Sequence, residues 1–299
     1  MIYKIFKLSF KNGLHIGNGS LEDAESYIYA HTIFSALCLE DIPGIESLVN
    51  LAKNNKFQIS DAFPFIDDAL YLPKPVMPIK FDESTDKKAL KNLKYIPIDD
   101  FGGFLEGKLC VLDITKGFKL GKSALQTKVK IPSDLSEDAE PYNVGVFSFK
   151  ENAGLYFIAS FENEEIETQF TDLLTSLSFS GIGGKRSSGF GKFTFEKEEI
   201  SDKYFSKRQD QSKNMTLSSC LPKEDELEKI LEEASYSLAK SSGFIYSENY
   251  SETLLRKKDL FIFKAGSIFL SEFDGDIYDV SNNGNHPVYK YAKPLFWRF

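Results

Sequence analysis

The first ten residues, MIYKIFKLSF, place Ile2, Phe6, Leu8 and Phe10 on one face of an extended chain, the period-two pattern of a half-buried strand. A glycine-rich turn, KNGLHIGNGS (11–20), follows, and then the period changes. In LEDAESYIYAHTIFSALCLE (21–40), Tyr27, Ala30, Phe34, Leu37 and Cys38 recur at helical spacing, with Asp23 as the expected N-cap and Pro43 as the stop. Residues 57–110 break into short apolar bursts among Pro64, Pro73, Pro75, Pro78 and Pro97, which predicts short edge strands and loops. Further on, VGVFSFK (144–150) and GLYFIASF (154–161), separated by ENA, predict a β-hairpin. Ile166, Phe170, Leu173, Leu174 and Leu177 form one apolar stripe on a helix over 164–179, and FGKFTFE (190–196) closes the series as a strand.

The order is strand, helix, hairpin, helix, strand, with an insertion in the middle. That is the βαββαβ order of a ferredoxin-like domain, so the fold class expected is α+β. Residues 201–213 are polar and read as a linker. Beyond them, MTLSSCL, a charged helix (223–233), LFIFKA, SIFLSE and IYDV predict a second, strand-rich α+β domain. No internal repeat is detectable.

Composition narrows the chemistry. The chain has 299 residues, is 42% hydrophobic and 14% aromatic with 27 phenylalanines, and therefore folds around a real core. Its net charge of −8 excludes a global basic field, so any site for a polyanion has to be local. Cys38, Cys110 and Cys220 lie far apart, which fits a reducing compartment and argues against disulfides or zinc. No apolar run reaches the ~18 residues of a membrane span, and a cytoplasmic location is expected.

Two local basic stretches stand out. The first, SFSGIGGKRSSGFGKFTF (178–195), carries Lys185, Arg186 and Lys192 among five glycines, with Ser187 and Ser188 between them. It is no P-loop, because Arg186 stands where the first glycine is required and Phe193 replaces the hydroxyl residue. Nor is it a Rossmann fingerprint, since GIGGKR has arginine at the third glycine position. GFKLGKS (117–123) also fails as a P-loop, with one residue too few between its glycines. Two readings of the glycine loop stay open: a tight helix-to-strand connection, or an anion-binding concavity of outward-facing N–H groups. The second basic stretch, TKGFKLGKSALQTKVKIP (115–132), holds five lysines and no acid. It suits either an exposed loop or a phosphate-contacting surface, with Phe118 and Leu120 as candidate wedges against bases. The three histidines, His15, His31 and His286, form no metal motif.

A first βαββαβ unit with the loop GIGGKRSSGFG resembles the RAMP superfamily of CRISPR proteins. HIGNGS after the first strand, TIFSALC in the first helix and the tail LRKKDLFIFKAGSIFL…DGDIYDV…HPVYKY resemble, more narrowly, the crRNA 5′-handle-binding subunit of type III-A Csm interference complexes, the fourth Csm subunit. The resemblance implies two ferredoxin-like (RRM-like) domains in tandem. Residues 1–200 would form the first, with a β-hairpin thumb insertion (about 80–140) and the glycine loop (181–192); residues 214–299 would form the second. It also implies contacts with the crRNA handle, with the guide–target duplex through the thumb, with the large polymerase/cyclase subunit and with a backbone RAMP subunit.

Carried onto this sequence, the RNA-contacting residues are His15, Gly17, Asn18 and Ser20 in the first turn. In the lysine-rich stretch, matched by position and charge, they are Lys119, Lys122, Ser123, Gln126, Lys128 and Lys130. The loop contributes Gly181, Gly183, Gly184, Lys185, Arg186, Ser187, Ser188, Gly189, Gly191 and Lys192, and the tail contributes His286. No catalytic residue, metal or cofactor is expected. One departure concerns the first helix, where Ala30 and His31 replace the serine and aspartate common in the family. The alternative is a metal-independent pre-crRNA-processing ribonuclease, using His31 or His15 with Tyr27 or Tyr29 and a lysine. Against it, no basic residue lies between Lys11 and Lys53, and about 100 residues follow the loop.

Overall fold

The computed structural model describes residues 1–17, 19–81, 85–130, 138–201, 204–205, 213–247 and 249–299. The chain begins with β1 (Ile2–Phe10), α1 (Ala30–Glu40), α2 (Ile45–Lys53), β2 (Phe57–Ile59), β3 (Phe63–Ile66) and β4 (Ala69–Pro73). The insertion follows: α3 (Lys87–Asn92), β5 (Tyr95–Pro97), α4 (Phe101–Leu105), α5 (Val111–Gly117), β6 (Gly121–Lys130) and β7 (Glu140–Phe149). Next come β8 (Ala153–Phe161), α6 (Glu164–Ser180) and β9 (Phe193–Glu199). The remainder holds β10 (Asn214–Thr216), α7 (Glu224–Leu231), β11 (Leu238–Ser241), β12 (Leu260–Phe263), β13 (Ile268–Phe269), β14 (Asp276–Asp279), β15 (Tyr289–Ala292) and β16 (Phe296–Arg298).

The main sheet is antiparallel, in the order β5-β4-β3-β8-β1-β9, with β2 also on β8. Register is set by apolar pairs: Phe6 lies opposite Phe157 and Leu8 opposite Leu155, while Phe10 faces Phe193 on the other side. Phe6, Leu8, Phe10, Phe157 and Phe161 turn toward α1, α2 and α6, where Phe34, Leu37, Phe170, Leu174 and Leu177 complete one core. The opposite face, with Ile5, Tyr156 and Ile158, is covered by the insertion and by Met215, Leu217, Ile268, Leu295 and Trp297 of the C-terminal segment. Every residue of β8 is therefore buried, which explains why AGLYFIASF is nearly continuously apolar instead of alternating.

Several expectations are corrected. The segments 144–150 and 154–161 do not pair with each other. Both edges of β8 are taken, by β1 on one side and by β2 and β3 on the other, so β7 leaves the sheet and pairs with β6 along its whole length, from Gly121–Phe149 to Lys130–Glu140. The first helix starts at Ala30, not near Asp23. The described residues before it are tied to strands instead: Gly145 N–H donates to the Leu21 carbonyl at 2.9 Å, and Leu14 and Ile28 bridge Phe147 and Ala62. Asp23 instead accepts from the Ser20 N–H at 3.1 Å. Phe118 and Leu120 are not wedges: Phe118 packs between Tyr71 and Tyr95, and Leu120 is buried. Most of the supposed linker, 201–213, lies outside the described residues, but Phe205 is buried against Tyr3 and Tyr204 stacks on Trp297 at 4.2 Å.

The C-terminal segment forms a three-stranded sheet, β13-β10-β16, and two ribbons, β11-β12 and β14-β15, with α7 as the single α-helix among its described residues. It is not separate from the rest. Strand β15 packs along α1, with Tyr291 against Phe34 at 5.3 Å and its hydroxyl accepting from the Ile59 N–H at 3.0 Å. Among the described residues no helix is long and apolar enough to cross a membrane, and no group of three or more potential metal ligands occurs.

Candidate nucleic-acid interface

The glycine loop begins where α6 ends. Gly181 closes the helix at a positive φ of 85° that favours glycine, its N–H donating to the Leu177 carbonyl at 2.7 Å. The base of the loop is then fastened to the first turn. Gly184 N–H donates to the His15 carbonyl at 2.9 Å, Gly191 N–H to the Gly13 carbonyl at 3.0 Å, and Ile182 N–H to the Gly191 carbonyl at 2.9 Å. A Cβ on Gly183 would come within 2.6 Å of the His15 carbonyl oxygen, so the two backbones approach more closely than side chains permit. Gly181, Ile182, Phe190 and Gly191 are buried, whereas Gly184, Ser187, Ser188 and Lys192 are exposed and Lys185, Arg186 and Gly189 partly so. The loop thus has a fixed root and a solvent-facing tip of basic and hydroxyl side chains.

His15 is the pin of this assembly. It is buried, and its Nδ1 lies 2.7 Å from the Gly145 carbonyl on β7. A carbonyl only accepts, so Nδ1 carries the hydrogen. Gly145 is in turn enclosed by the backbone of Glu22 and Asp23, and the Ser123 hydroxyl donates to the Ala24 carbonyl at 3.2 Å. The β6–β7 ribbon is therefore held between residues 22–24 on one face and the glycine loop on the other. The first turn pairs with the free edge of β7, Leu14 N–H donating to the Phe147 carbonyl at 2.9 Å and Phe147 N–H back to the Leu14 carbonyl at 2.8 Å. On the loop side, Val144, Val146 and Phe190 form a small apolar cluster. Lys128 Nζ sits 4.9 Å above the Phe190 ring, and Lys185 Nζ 4.5 Å above Tyr142. Such contacts are worth about 0.5–1 kcal/mol at exposed sites.

First turn, ribbon and glycine loop, three stretches far apart in sequence, thus form one surface. Alternation along β6 puts Lys122, Gln126, Lys128 and Lys130 on the same face as the loop. Ser123 points to the first turn, Lys119 lies exposed just before the strand, and Gly17 and Ser20 stand in the turn itself. Asn18 lies outside the described residues. Among the described residues, none of Lys119, Lys122, Lys128, Lys130, Lys185, Arg186 and Lys192 is paired with a carboxylate. On a chain of net charge −8, that is a local concentration of positive charge. His286 is not brought here. It is exposed in the C-terminal segment, its Nε2 2.9 Å from the Ser247 hydroxyl and its ring edge-on to Tyr250.

Asp61 carries no signal in the sequence pattern. This buried carboxylate receives the Tyr27 hydroxyl, the Ala30 N–H at 2.6 Å and the Ser219 hydroxyl at 2.6 Å, and so caps α1 while tying it to the C-terminal segment. Burial pushes its pKa upward, and the three donors oppose that shift. His31 stacks on Tyr29 at 4.9 Å, and burial first, then Lys290 and Lys257, hold its imidazole well below the usual histidine range. The cation that the local sequence around His31 lacks is supplied from more than two hundred residues away.

The family described as the CRISPR Csm4 C-terminal domain matches residues 209–299. A Mycobacterium tuberculosis protein named CRISPR system Cms protein Csm4 is 36% identical, over 98% of this chain and 96% of its own length. A Streptococcus thermophilus protein of the same name is 34% identical over 100% and 99%. Among solved structures, a chain in the Csm3–Csm4 subcomplex of the type III-A CRISPR-Cas interference complex superposes with a TM-score of 0.67 at 18% identity, covering 100% of this chain and 99% of that one. A chain of the Csm1–Csm4 cassette in complex with cA4 gives 0.59 at 18% identity, covering 99% and 97%. At that identity the two structures speak for the fold alone.

Proposed function

The chain belongs to the Csm4 family of CRISPR proteins, and from that premise we propose that it is a non-catalytic, RNA-binding subunit of a type III-A effector complex. In this reading it holds the crRNA 5′ handle and joins the large polymerase/cyclase subunit to a backbone RAMP subunit. The sheet order β9-β1-β8-β2/β3, with α1 and α6 on one face, supports a ferredoxin-like first unit over residues 1–200. The second unit, 214–299, is then a reduced one that keeps one of the two helices. The β6–β7 ribbon takes the part of the thumb that meets the guide–target duplex. Relatives solved with Csm3 and with Csm1 support the two protein partners.

One observation carries the RNA assignment: cations of the loop and the ribbon that have no carboxylate partner among the described residues share a face, while His15 fixes both from beneath. Phosphate contacts supply affinity that falls with salt. Repeat-derived RNA incubated with the purified chain, without metal, is expected to bind and to yield no discrete product. Lys185→Ala combined with Arg186→Ala should weaken binding and lower the slope of log affinity against log salt by about 1.4, that is ~0.7 per phosphate contact on a single strand. Affinity unchanged by the double substitution sinks the proposal.

The ribonuclease alternative has one observation in its favour, the meeting of Tyr29, His31 and two lysines. A discrete cleavage product that disappears in His31→Ala would establish it. His15 is no candidate base, since its ring is buried and its free Nε2 is closed in by Gly17 and Gly184.

A further inference from the structure

The meeting of α1 with the C-terminal ribbons holds a second positive cluster, apart from the loop–ribbon surface. His31 stands in the first turn of α1, and its Nδ1 is buried with no hydrogen-bond partner among the described residues. Lys290 lies on β15, which packs along α1; it is 7% exposed, and its Nζ donates to the Ser241 hydroxyl. Lys257 is half-buried on a neighbouring ribbon, where its N–H donates to the Gly243 carbonyl at 2.9 Å. Its Nζ has no partner among the described residues.

The nearby carboxylate does not balance this charge. Asp61 is already occupied by the Tyr27 and Ser219 hydroxyls and the Ala30 N–H. Among the described residues, one carboxylate thus stands against two ammonium groups, and cations withdrawn from water without a counter-charge are costly. The cost is visible in the lysines: burial, then Lys257, lowers Lys290 to about 7, and burial lowers Lys257. An unpartnered imidazole nitrogen and two lysine ammonium groups whose charges act on it and on each other are groups that an anion with several acceptor oxygens would satisfy.

Neighbouring groups indicate what carries the anion. Tyr29 lies flat against His31. On the outer face of the Lys257 ribbon, Phe244 is 56% and Tyr246 86% exposed, and the Arg256 guanidinium lies 5.7 Å from the Phe244 ring. Exposed aromatics interleaved with cations suit unpaired bases on a phosphate backbone better than an acidic protein segment. The glycine loop is fastened at Gly13 and His15, the latter sixteen residues before His31 in the chain.

We propose that His31, Lys257 and Lys290 form a second phosphate site, which takes a backbone or terminal phosphate of the single-stranded RNA held at the loop–ribbon surface. The proposal rests on the RNA-binding reading above. With three histidines in the chain, imidazole NMR of the unaltered full-length protein reports on His31 directly. Repeat-derived single-stranded RNA and inorganic phosphate serve as separate probes. RNA is expected to shift the His31 resonances saturably, with a weaker shift at high inorganic phosphate. Lys257→Gln and Lys290→Gln should each abolish the RNA-induced shift and lower the salt slope by about 0.7.

If RNA binds in a manner that depends on Lys185 and Arg186 while His31 stays silent, the second site is overturned and the loop reading stands. If RNA does not bind at all, both readings fail. A His31 response to inorganic phosphate with none to RNA also overturns the proposal, because the anion site then belongs to free phosphate. Since the NMR readout needs no substitution, a Lys290 variant that fails to fold leaves the test intact.

Discussion

At the scale of single residues, Gly191 carries the tightest constraint in the loop. It has φ +73°, and a Cβ there would overlap the Ile182 carbonyl oxygen whose own N–H bonds back to Gly191. Gly189 has a similar φ of +87° but open space around it. A left-handed conformation costs an alanine about 1–2 kcal/mol. Gly189→Ala should therefore lower stability by about that amount, and Gly191→Ala by more, since backbone must move as well. Thermal or urea denaturation of the two variants checks this; equal losses would mean that the crowding at Gly191 relaxes freely. Glycine content was legible in the sequence, but the reason for each glycine was not, because the crowding atoms come from the first turn and from across the loop. The same holds for phenylalanine. Its abundance points to a core, and only Phe179, Phe244 and Phe261 are strongly exposed; most of the rest build the cores on the two faces of the sheet, while Phe263, Phe269, Phe273 and Phe296 form a cluster of their own in the C-terminal segment.

At the scale of elements, the decisive event is the departure of β7 from the sheet. Local pattern identified strands at 144–150 and 154–161, and short spacing argued for pairing them. Pairing is a competition among all strands for the edges of β8, and β1, β2 and β3 win it. Helix α6 was legible almost to its ends, since Ile166, Phe170, Leu174 and Leu177 repeat without interruption and Asn163 caps it, accepting from the Ile166 N–H at 3.0 Å. The start of α1 was not, because its cap, Asp61, comes from the connection between β2 and β3. The displaced β7 meets the glycine loop through Phe190, and this makes the two basic stretches one unit. A double-mutant cycle with Lys128→Ala and Phe190→Leu should give a coupling of about 0.5–1 kcal/mol in stability. Zero coupling would mean that ribbon and loop sit side by side without support from this pair.

At the scale of the whole molecule, the two halves share their cores, and charged groups are buried where they meet. Lys290 belongs to the C-terminal segment but owes its burial to α1 of the first half. Burial, reinforced by Lys257, brings it to about 7, below the ~10.4 of an exposed lysine in the unfolded chain. The unfolded chain thus binds a proton that the folded chain releases between those values. The stability this group contributes is fully present above the ordinary lysine range and is lost as pH falls toward 7. His31 acts in the same sense at lower pH: held neutral in the fold, it makes the folded state less favourable as pH drops below its ordinary value of about 6.5. Urea midpoints measured from pH 6.5 to 9.5 should therefore rise more steeply for the wild-type chain than for Lys290→Met. Parallel curves would show that the lysine is not buried by the docking of the halves. The lower-pH end of that profile is also where a phosphate at His31, Lys257 and Lys290 would stabilise most, because an anion compensates the ammonium charges only while they are protonated.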